Sequence, residues 1–338
     1  MYKFSKVAEC IDTNKFKGFQ KPYPPIDAVY TWINGADEVY QHSRSLYLNQ
    51  ESRSAICKDS AVESRVRDRN ELKFSLRSLT QFAPWINHIY IITSFKQRPD
   101  WLKDHPRITL VPDISLFPEK KNLPTFNSQA IECHLDQIDG LSEYFISIND
   151  DMFIGRPLDP MDFLLPSGVM LGGLEIPLRE TPKGVFQESD GSYVAAWKNN
   201  SSALDCVFGV KKRFFPLHQA RILSKSVLQE CRRLFASSYA ATSESRFRAS
   251  NNIAPVGLAF YTALNQGKMI LSNHLTAAFA PLTDDNQLNK YYFYYILSIK
   301  PHLFCINDDI TEAADPMTDL SFYQFMYTYF PEKSPFEI

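Results

Sequence analysis

Glu-Tyr-Phe-Ile-Ser-Ile-Asn-Asp-Asp-Met-Phe-Ile-Gly, residues 143–155, decides how the chain is read. Phe145, Ile146 and Ile148 make a short buried strand, and Asn149, Asp150 and Asp151 stand at its C-terminal end. In an open α/β sheet that end is where ligands bind. Adjacent carboxylates repel each other unless a cation, donors or water relieve them. A hard divalent ion, held by one or two carboxylates plus substrate phosphates, is the natural partner. The plain alternative is a solvated Asn-Asp turn.

Strands and helices alternate upstream. Ile26 to Trp32 is β-branched and aromatic and is stopped by Asn34-Gly35. Residues 36–66 are polar, with an irregular helix expected there. Asp68 stands three residues before Glu71, the spacing of a capping box, and Leu72, Leu76, Leu79 and Phe82 follow at helical intervals until Pro84. Strands are expected at His88–Thr93 and Ile108–Val111, and a helix at Phe126–Ile138 ending at Gly140. This alternation means α/β, with a mostly parallel sheet and right-handed crossovers. Its strand ends should gather Asp27 to Gly35, Thr93-Ser94 and Asn149 to Asp151 at one rim.

Downstream, residues 156–200 read as loops and short strands. Gln219–Phe235 and Ile253–Gln266 read as helices, the second capped by Gly267. Tyr291–Ile299 fits strand or helix equally well.

The chain has 338 residues and a net charge of −2, which argues against a general nucleic-acid binder. A hydrophobic content of 44% supports a large core, in which most of the 25 Phe and 17 Tyr should pack. Cys10, Cys57, Cys133, Cys206, Cys231 and Cys305 form no zinc-like spacing, so thiols in a reducing compartment are expected. No signal-peptide core and no transmembrane run is evident, and the expected location is the cytoplasm. Neither a dinucleotide fingerprint nor a Walker A loop occurs.

Three further groups could carry chemistry. Arg67, Arg69, Asn70 and Glu71 open a helix, where arginines and free amides attract phosphate; a solvated cap is the alternative. Lys211-Lys212-Arg213 leads into His218, and Arg246-Phe247-Arg248 lies downstream; together they suit an anionic substrate, although a charge run is commonly a solvated face. Cys305-Ile306-Asn307-Asp308-Asp309 repeats the apolar-then-Asn-Asp-Asp pattern and could complete a metal site, or be a turn.

These segments together resemble the Stealth family of sugar-phosphate transferases. The likeness is carried by Ile26 to Gly35, then by Arg69 to Ser78, Ala83 to Ile86, Leu123 to Ser128 and Asn149 to Asp151. His218 through Arg248, and Cys305 to Asp308, complete it. Ala220 stands where family members often have Pro two residues after the His.

The resemblance implies a Rossmann-like, GT-A-like nucleotide-sugar transferase fold with helical additions. It implies one catalytic domain over 26–310, with a nucleotide-sugar-binding half at 26–155 and an acceptor and phosphate half at 156–310. Residues 1–25 would be a lead and 311–338 a tail. It further implies transfer of a sugar-1-phosphate from a UDP-sugar to a hydroxyl of an acceptor saccharide, with release of UMP. The catalytic set would be His218, Asp150, Arg246, Arg248 and Asp27. Donor binding would fall to Asp27, Tyr30, Thr31, Trp32, Asn34, Gly35, Arg69, Asn70, Glu71, Asn127, Ser128, Asn149 and Asp151. Mg²⁺ or Mn²⁺ would sit on Asp150, Asp308 and Asn307. His218 would accept the hydroxyl proton, kept neutral by nearby cations. Peripheral contact with the inner membrane face and self-association are compatible with this reading. The rivals are a metal-dependent glycosyltransferase, which releases UDP, and an inactive binding relative.

Overall fold

The structure, a computed structural model, describes residues 23–50, 57–310 and 315–338. In chain order the first elements are β1 (Ile26–Thr31), α1 (Glu38–Gln50), α2 (Glu71–Phe82), β2 (Ile89–Thr93), β3 (Ile108–Pro112), α3 (Asp113–Leu116), α4 (Ser128–Glu132), β4 (Tyr144–Asn149) and β5 (Met152–Ile154). Then come β6 (Met170–Gly172), α5 (Ser192–Phe208), β7 (Arg221–Ser224), α6 (Lys225–Leu234), α7 (Ala236–Glu244) and α8 (Pro255–Asn265). The last are β8 (Met269–Leu271), β9 (Ala277–Leu282), α9 (Asn286–Ile299), β10 (Leu303–Asp308) and α10 (Pro316–Tyr329).

The central sheet has the order β3-β2-β1-β4-β7. Its first four strands are parallel, and β7 joins β4 antiparallel. All of β2 and the first five residues of β1 are buried, as strands covered on both faces require. The fold is thus α/β with a Rossmann-like, mostly parallel sheet. A second sheet, β5-β10-β9, begins only two residues after β4 ends, and β6 pairs with β8 in a small third one. The turn between β4 and β5 is Asp150-Asp151.

Helix α2 fixes the two large sheets to each other. Ser75 Oγ donates to the Met152 carbonyl at 2.6 Å, and Ser78 Oγ accepts from the Ile154 amide at 3.0 Å. One face of α2 packs on the central core through Leu72, Leu76 and Leu79. Phe74 instead enters a second core with Phe153, Phe293, Phe304, Phe322, Phe325 and Phe330. This second core is where much of the phenylalanine content is packed.

Several expectations need correction. The segment 219–224 is not helical. Ile222 and Leu223 alternate inside β7, and the helix begins only after Ser224, whose side chain accepts from the Val227 amide at 3.3 Å. Residues within 192–208 form α5, with Ala195, Ala196, Trp197 and Leu204 buried at helical spacing. The expected helix at 126–138 is broken into α4 and a single 3₁₀ turn at Leu135–Gln137. Tyr291–Ile299 belongs to α9. Asp68 and Glu71 do not form a capping box: Asp68 accepts from the Asn70 amide and Glu71 from the Arg69 amide, with Asn70 left-handed at φ 60°. The tail is no appendage, since α10 buries Phe322, Phe325 and Met326, and Glu337 pairs with Arg77 at 2.6 Å. The two halves share one core and one sheet, through β7. The lead lies outside the described residues up to position 22.

Asp27 is the clearest displacement. It sits near the N-terminal end of β1, roughly 13 Å along the strand from Thr31 at 3.3 Å per residue. It is fully buried and accepts from the Asn87 side chain and from the Ser142 amide, each at 2.8 Å. Those partners precede β2 and β4, at the rim opposite Asn149. Asp27→Ala should therefore lower unfolding free energy by about 1–3 kcal/mol, because it orphans a buried amide. Urea denaturation would read this, with turnover per folded molecule retained. Lost turnover at unchanged stability would return Asp27 to the chemistry.

Candidate active site

Neither carboxyl of the Asp150-Asp151 turn forms an ion pair among the described residues. Burial, then mutual repulsion with Asp151 and Asp68, pushes Asp150 well above the usual carboxylate range. Burial also raises Asp151, against the bonds from Asn307 and Cys305. Asp151 Oδ2 accepts weakly from Asn307 Nδ2 and Cys305 Sγ, both at 3.4 Å, while its buried Oδ1 has no hydrogen-bond partner among the described residues. Asp151 and Asn149 face the main cleft, whereas Asp150 turns toward the acidic group of Asp68 and Glu71. The carboxylate of the turn that faces the cleft is therefore Asp151, one residue beyond the expected Asp150.

Asp308 is occupied elsewhere. Its Oδ2 takes Arg67 and Arg69 at 2.7 Å each, and Arg69 reaches on to Asp319 at 2.6 Å. A carboxylate already shared by two guanidiniums is a poor metal ligand. Among the described residues no cluster of three or more His, Cys, Asp or Glu side chains could hold a metal ion. Asp151, with its orphaned oxygen, and Asn149 and Asn307 beside it suit an open site for Mg²⁺ or Mn²⁺, completed by substrate phosphate and water. Protons compete for such ligands, so metal affinity should rise with pH.

From this turn a cavity of about 690 Å³ runs between α4, β4, α5, α8 and β9. Arg65, Arg179, Arg221 and Arg248 line it. Crowding shows in their chemistry: burial and then Arg65 bring Arg248 down to about 10, and burial lowers Arg221. Ser128 accepts from Arg248 Nη2 at 2.8 Å. His218 lies among these arginines, and burial followed by Arg221, Arg248, Arg179 and Arg65 takes it down to about 4. Burial and these four arginines, rather than the basic run, favour its neutral form. Arg213 pairs with Asp205, Lys212 with Glu180 at 2.9 Å, and Lys211 with Asn265 at 2.7 Å, all away from the cleft.

Glu132 was missed from sequence. It lies at the end of α4 in the same cleft, where burial raises it to about 7 against Arg248 and Arg221. No local pattern marks it, because its setting comes from α8 and from the loop that carries Arg248. Arg65, Arg221 and Arg179 were missed for the same reason.

Other expected site residues support rather than line the cleft. Tyr30 is fully buried with its hydroxyl 3.0 Å from Ser75 Oγ, and Trp32 is buried with Nε1 donating to Asp68 at 3.2 Å. Thr31 ends β1 beside Asn149. Asn34 bonds Gln97 through its backbone, and Gly35 packs so tightly that a Cβ would come within 2.1 Å of the Val66 carbonyl, next to Arg65. Asn127 caps α4 and grips the loop before α8 through Ser245 and Asn252. Arg246 leaves the cleft: its guanidinium donates to the Lys121 carbonyl at 2.8 Å and lies 4.7 Å from the Tyr47 ring centre. Arg69, Asn70 and Glu71 belong to the charged network behind the turn.

Three Stealth conserved-region models match the chain: region 1 over residues 24–52, region 2 over 65–171 and region 3 over 217–261. The chain belongs to the Stealth family. An exopolysaccharide phosphotransferase of Streptomyces coelicolor is 37% identical over 318 residues, covering 93% of this chain and 52% of that protein. The exopolysaccharide phosphotransferase CpsY of Mycobacterium tuberculosis is 33% identical over 320 residues, covering 92% of this chain and 58% of its own length. The chain thus spans little more than half of these relatives. A crystal structure of the galactosyltransferase LgtC with donor and acceptor sugar analogues is similar over 90% of this chain and 96% of that one, at 10% identity and a TM-score of 0.43. Stealth regions 2 and 3 meet in the cleft: Arg65, Ser128, Glu132, Asn149 and Asp151 come from one, His218, Arg221 and Arg248 from the other.

The two carboxylates should separate on substitution. Asp308→Ala strips the shared anion from two arginines and should cost ~3 kcal/mol, the low end for a buried pair because Arg67 reaches water. Asp151→Asn should leave thermal stability near that of the parent and weaken Mn²⁺ binding, read by calorimetry with UDP present. Equal metal affinity in both variants would contradict the assignment.

Proposed function

We propose that the chain transfers a sugar-1-phosphate from a UDP-sugar to a hydroxyl of an acceptor saccharide, in the synthesis of surface polysaccharide. The observation that carries this reading is one cleft holding Asp151, with no ion pair among the described residues and a buried Oδ1 without a hydrogen-bond partner, at one end and an arginine wall around His218 beyond it. Phosphoryl transfer demands positioning and charge neutralisation above all. The names of the Stealth relatives point the same way.

The acceptor oxygen forms a bond to the sugar-bound phosphorus. The bond from that phosphorus to the bridging oxygen breaks, and UMP leaves with the electron pair. Arg248, held by Ser128, grips phosphate oxygens with its planar fork. A divalent ion, when bound beside Asp151, neutralises diphosphate charge. The acceptor proton passes to His218. Its free-state depression comes from burial and from arginines that an anionic donor would offset, so donor binding should bring it back toward neutrality. Glu132 supplies a second reading, because a carboxyl near 7 is already matched to general-base work. On this reading the enzyme works in the cytoplasm, where its nucleotide-sugar donor is made. Among the described residues no helix is long and apolar enough to cross a membrane.

Incubation with UDP-N-acetylglucosamine and an acceptor saccharide should release UMP, identified by mass spectrometry; release of UDP would make the enzyme a glycosyltransferase instead. Excess chelator should abolish turnover, and Mg²⁺ or Mn²⁺ should restore it. Arg248→Lys should lower kcat/KM by ~10²-fold, the scale of one lost preorganised donor, and Arg246→Lys should change it little.

The pH profile of kcat/KM reports the base in the free enzyme. A base must be unprotonated, so activity falls as pH drops through its pKa. With His218 the acid limb lies near 4; with Glu132 it lies near 7. The variant that erases the limb, His218→Ala or Glu132→Gln, identifies the base.

A further inference from the structure

Phe279 is a large apolar side chain left 51% exposed in the cleft that holds Asp151 and His218. It lies on β9, outside the three matched Stealth stretches. In register it pairs with Cys305 on β10, so both side chains share one sheet face. That is the face from which Cys305 Sγ reaches Asp151 at 3.4 Å. Phe279 therefore stands about one strand spacing, ~5 Å, from the residue beside the carboxylate. Its ring centre is also 6.0 Å from that of His218.

His218 has two aromatic flanks. Tyr193 is 6.3 Å away, edge-on, but one face of its ring is already stacked on Phe215 at 5.5 Å and 15°. Phe279 keeps its surface open, and the exposed Ile176 and Pro177 line the same cleft. An exposed ring among charged groups stays hydrated unless a ligand covers it with apolar surface. A pyranose ring offers such a surface in the C–H groups of one face, while its hydroxyls meet the surrounding polar groups. The ring next to the proton acceptor is the one bearing the attacking hydroxyl.

Resting on the proposed transfer reaction and on His218 at its centre, we infer that Phe279 is the stacking platform for the acceptor pyranose. It positions that ring and contributes to the choice of acceptor. Donor binding runs through Asp151 and Arg248 and does not use it.

Saturation-transfer NMR on the whole chain tests this without turnover. The probes are UDP-N-acetylglucosamine and the methyl pyranosides of glucose, galactose, mannose and N-acetylglucosamine, the latter added one at a time with UDP present. At least one pyranoside should receive saturation, strongest at the C–H protons of one ring face. Phe279→Ala should weaken its binding ~10-fold, the scale of a lost aromatic contact, and leave UDP-N-acetylglucosamine bound. Phe279→Trp should retain it, and thermal melting should match the parent in both variants. In turnover, Phe279→Ala should raise the acceptor KM with kcat and the acid limb unmoved. The inference is overturned if no pyranoside binds, if Phe279→Ala binds it as the parent does, or if the donor is lost instead. Pyranoside binding that depends on Phe279 in an enzyme that releases no UMP would overturn the transfer reading and keep the platform.

Discussion

Two residues join the two large sheets, and both are aspartates. β4 ends at Asn149 and β5 starts at Met152, so the chain must pass between sheets within Asp150-Asp151. The turn cannot relax away from its own charge, because Ser75 and Ser78 of α2 hold the β5 backbone and β1 holds β4. Geometry that a free peptide would abandon is thus enforced by the packing on either side. Strain of an electrostatic kind is retained where a ligand can relieve it.

The same logic organises the remainder of the cleft. Asp151 stands at one end and Arg221 and Arg248 beyond it, and burial opposes the ionised form of each. Two other cleft arginines are matched, Arg179 by Glu175 at 3.0 Å and Arg65 by Asp59 at 2.8 Å. Several buried charges elsewhere are matched too: Arg77 with Glu337, Arg213 with Asp205, Arg232 with Asp136. Among the described residues Asp151, Arg221 and Arg248 have no such ion pair within the cleft, and Asp150, Asp68 and Glu71 crowd behind it.

What was legible in the sequence was local. Burial on both faces made β1 and β4 readable as apolar runs, and the Asn-Asp-Asp turn announced itself at a strand end. The position of Asp27 did not, since the same residue type serves as an acceptor for amides at one rim or as a ligand at the other, and only strand polarity separates them. β7 was misread because four strand residues run directly into a helix, so Ile222 and Leu223 extend an apolar helical pattern. Glu132, Arg221 and Arg65 acquire meaning only from neighbours far along the chain. Arg248 was found through its family-like segment, but that segment alone could not tell it from Arg246, which turns to the Lys121 carbonyl.

The antiparallel pairing of β7 with β4 has a consequence for the chain as a polymer. Tyr144 to Ser147 lie against Arg221 to Ser224, so a strand from the second half closes the edge of a sheet built by the first. Neither part can satisfy its own backbone alone: a piece ending near residue 155 would bare a long apolar edge, and a piece beginning there would hold a four-residue strand with nothing to pair. The two parts therefore form one indivisible folding unit. A protease nick in the exposed 176–180 loop can leave it assembled, while separating the two fragments dissolves both.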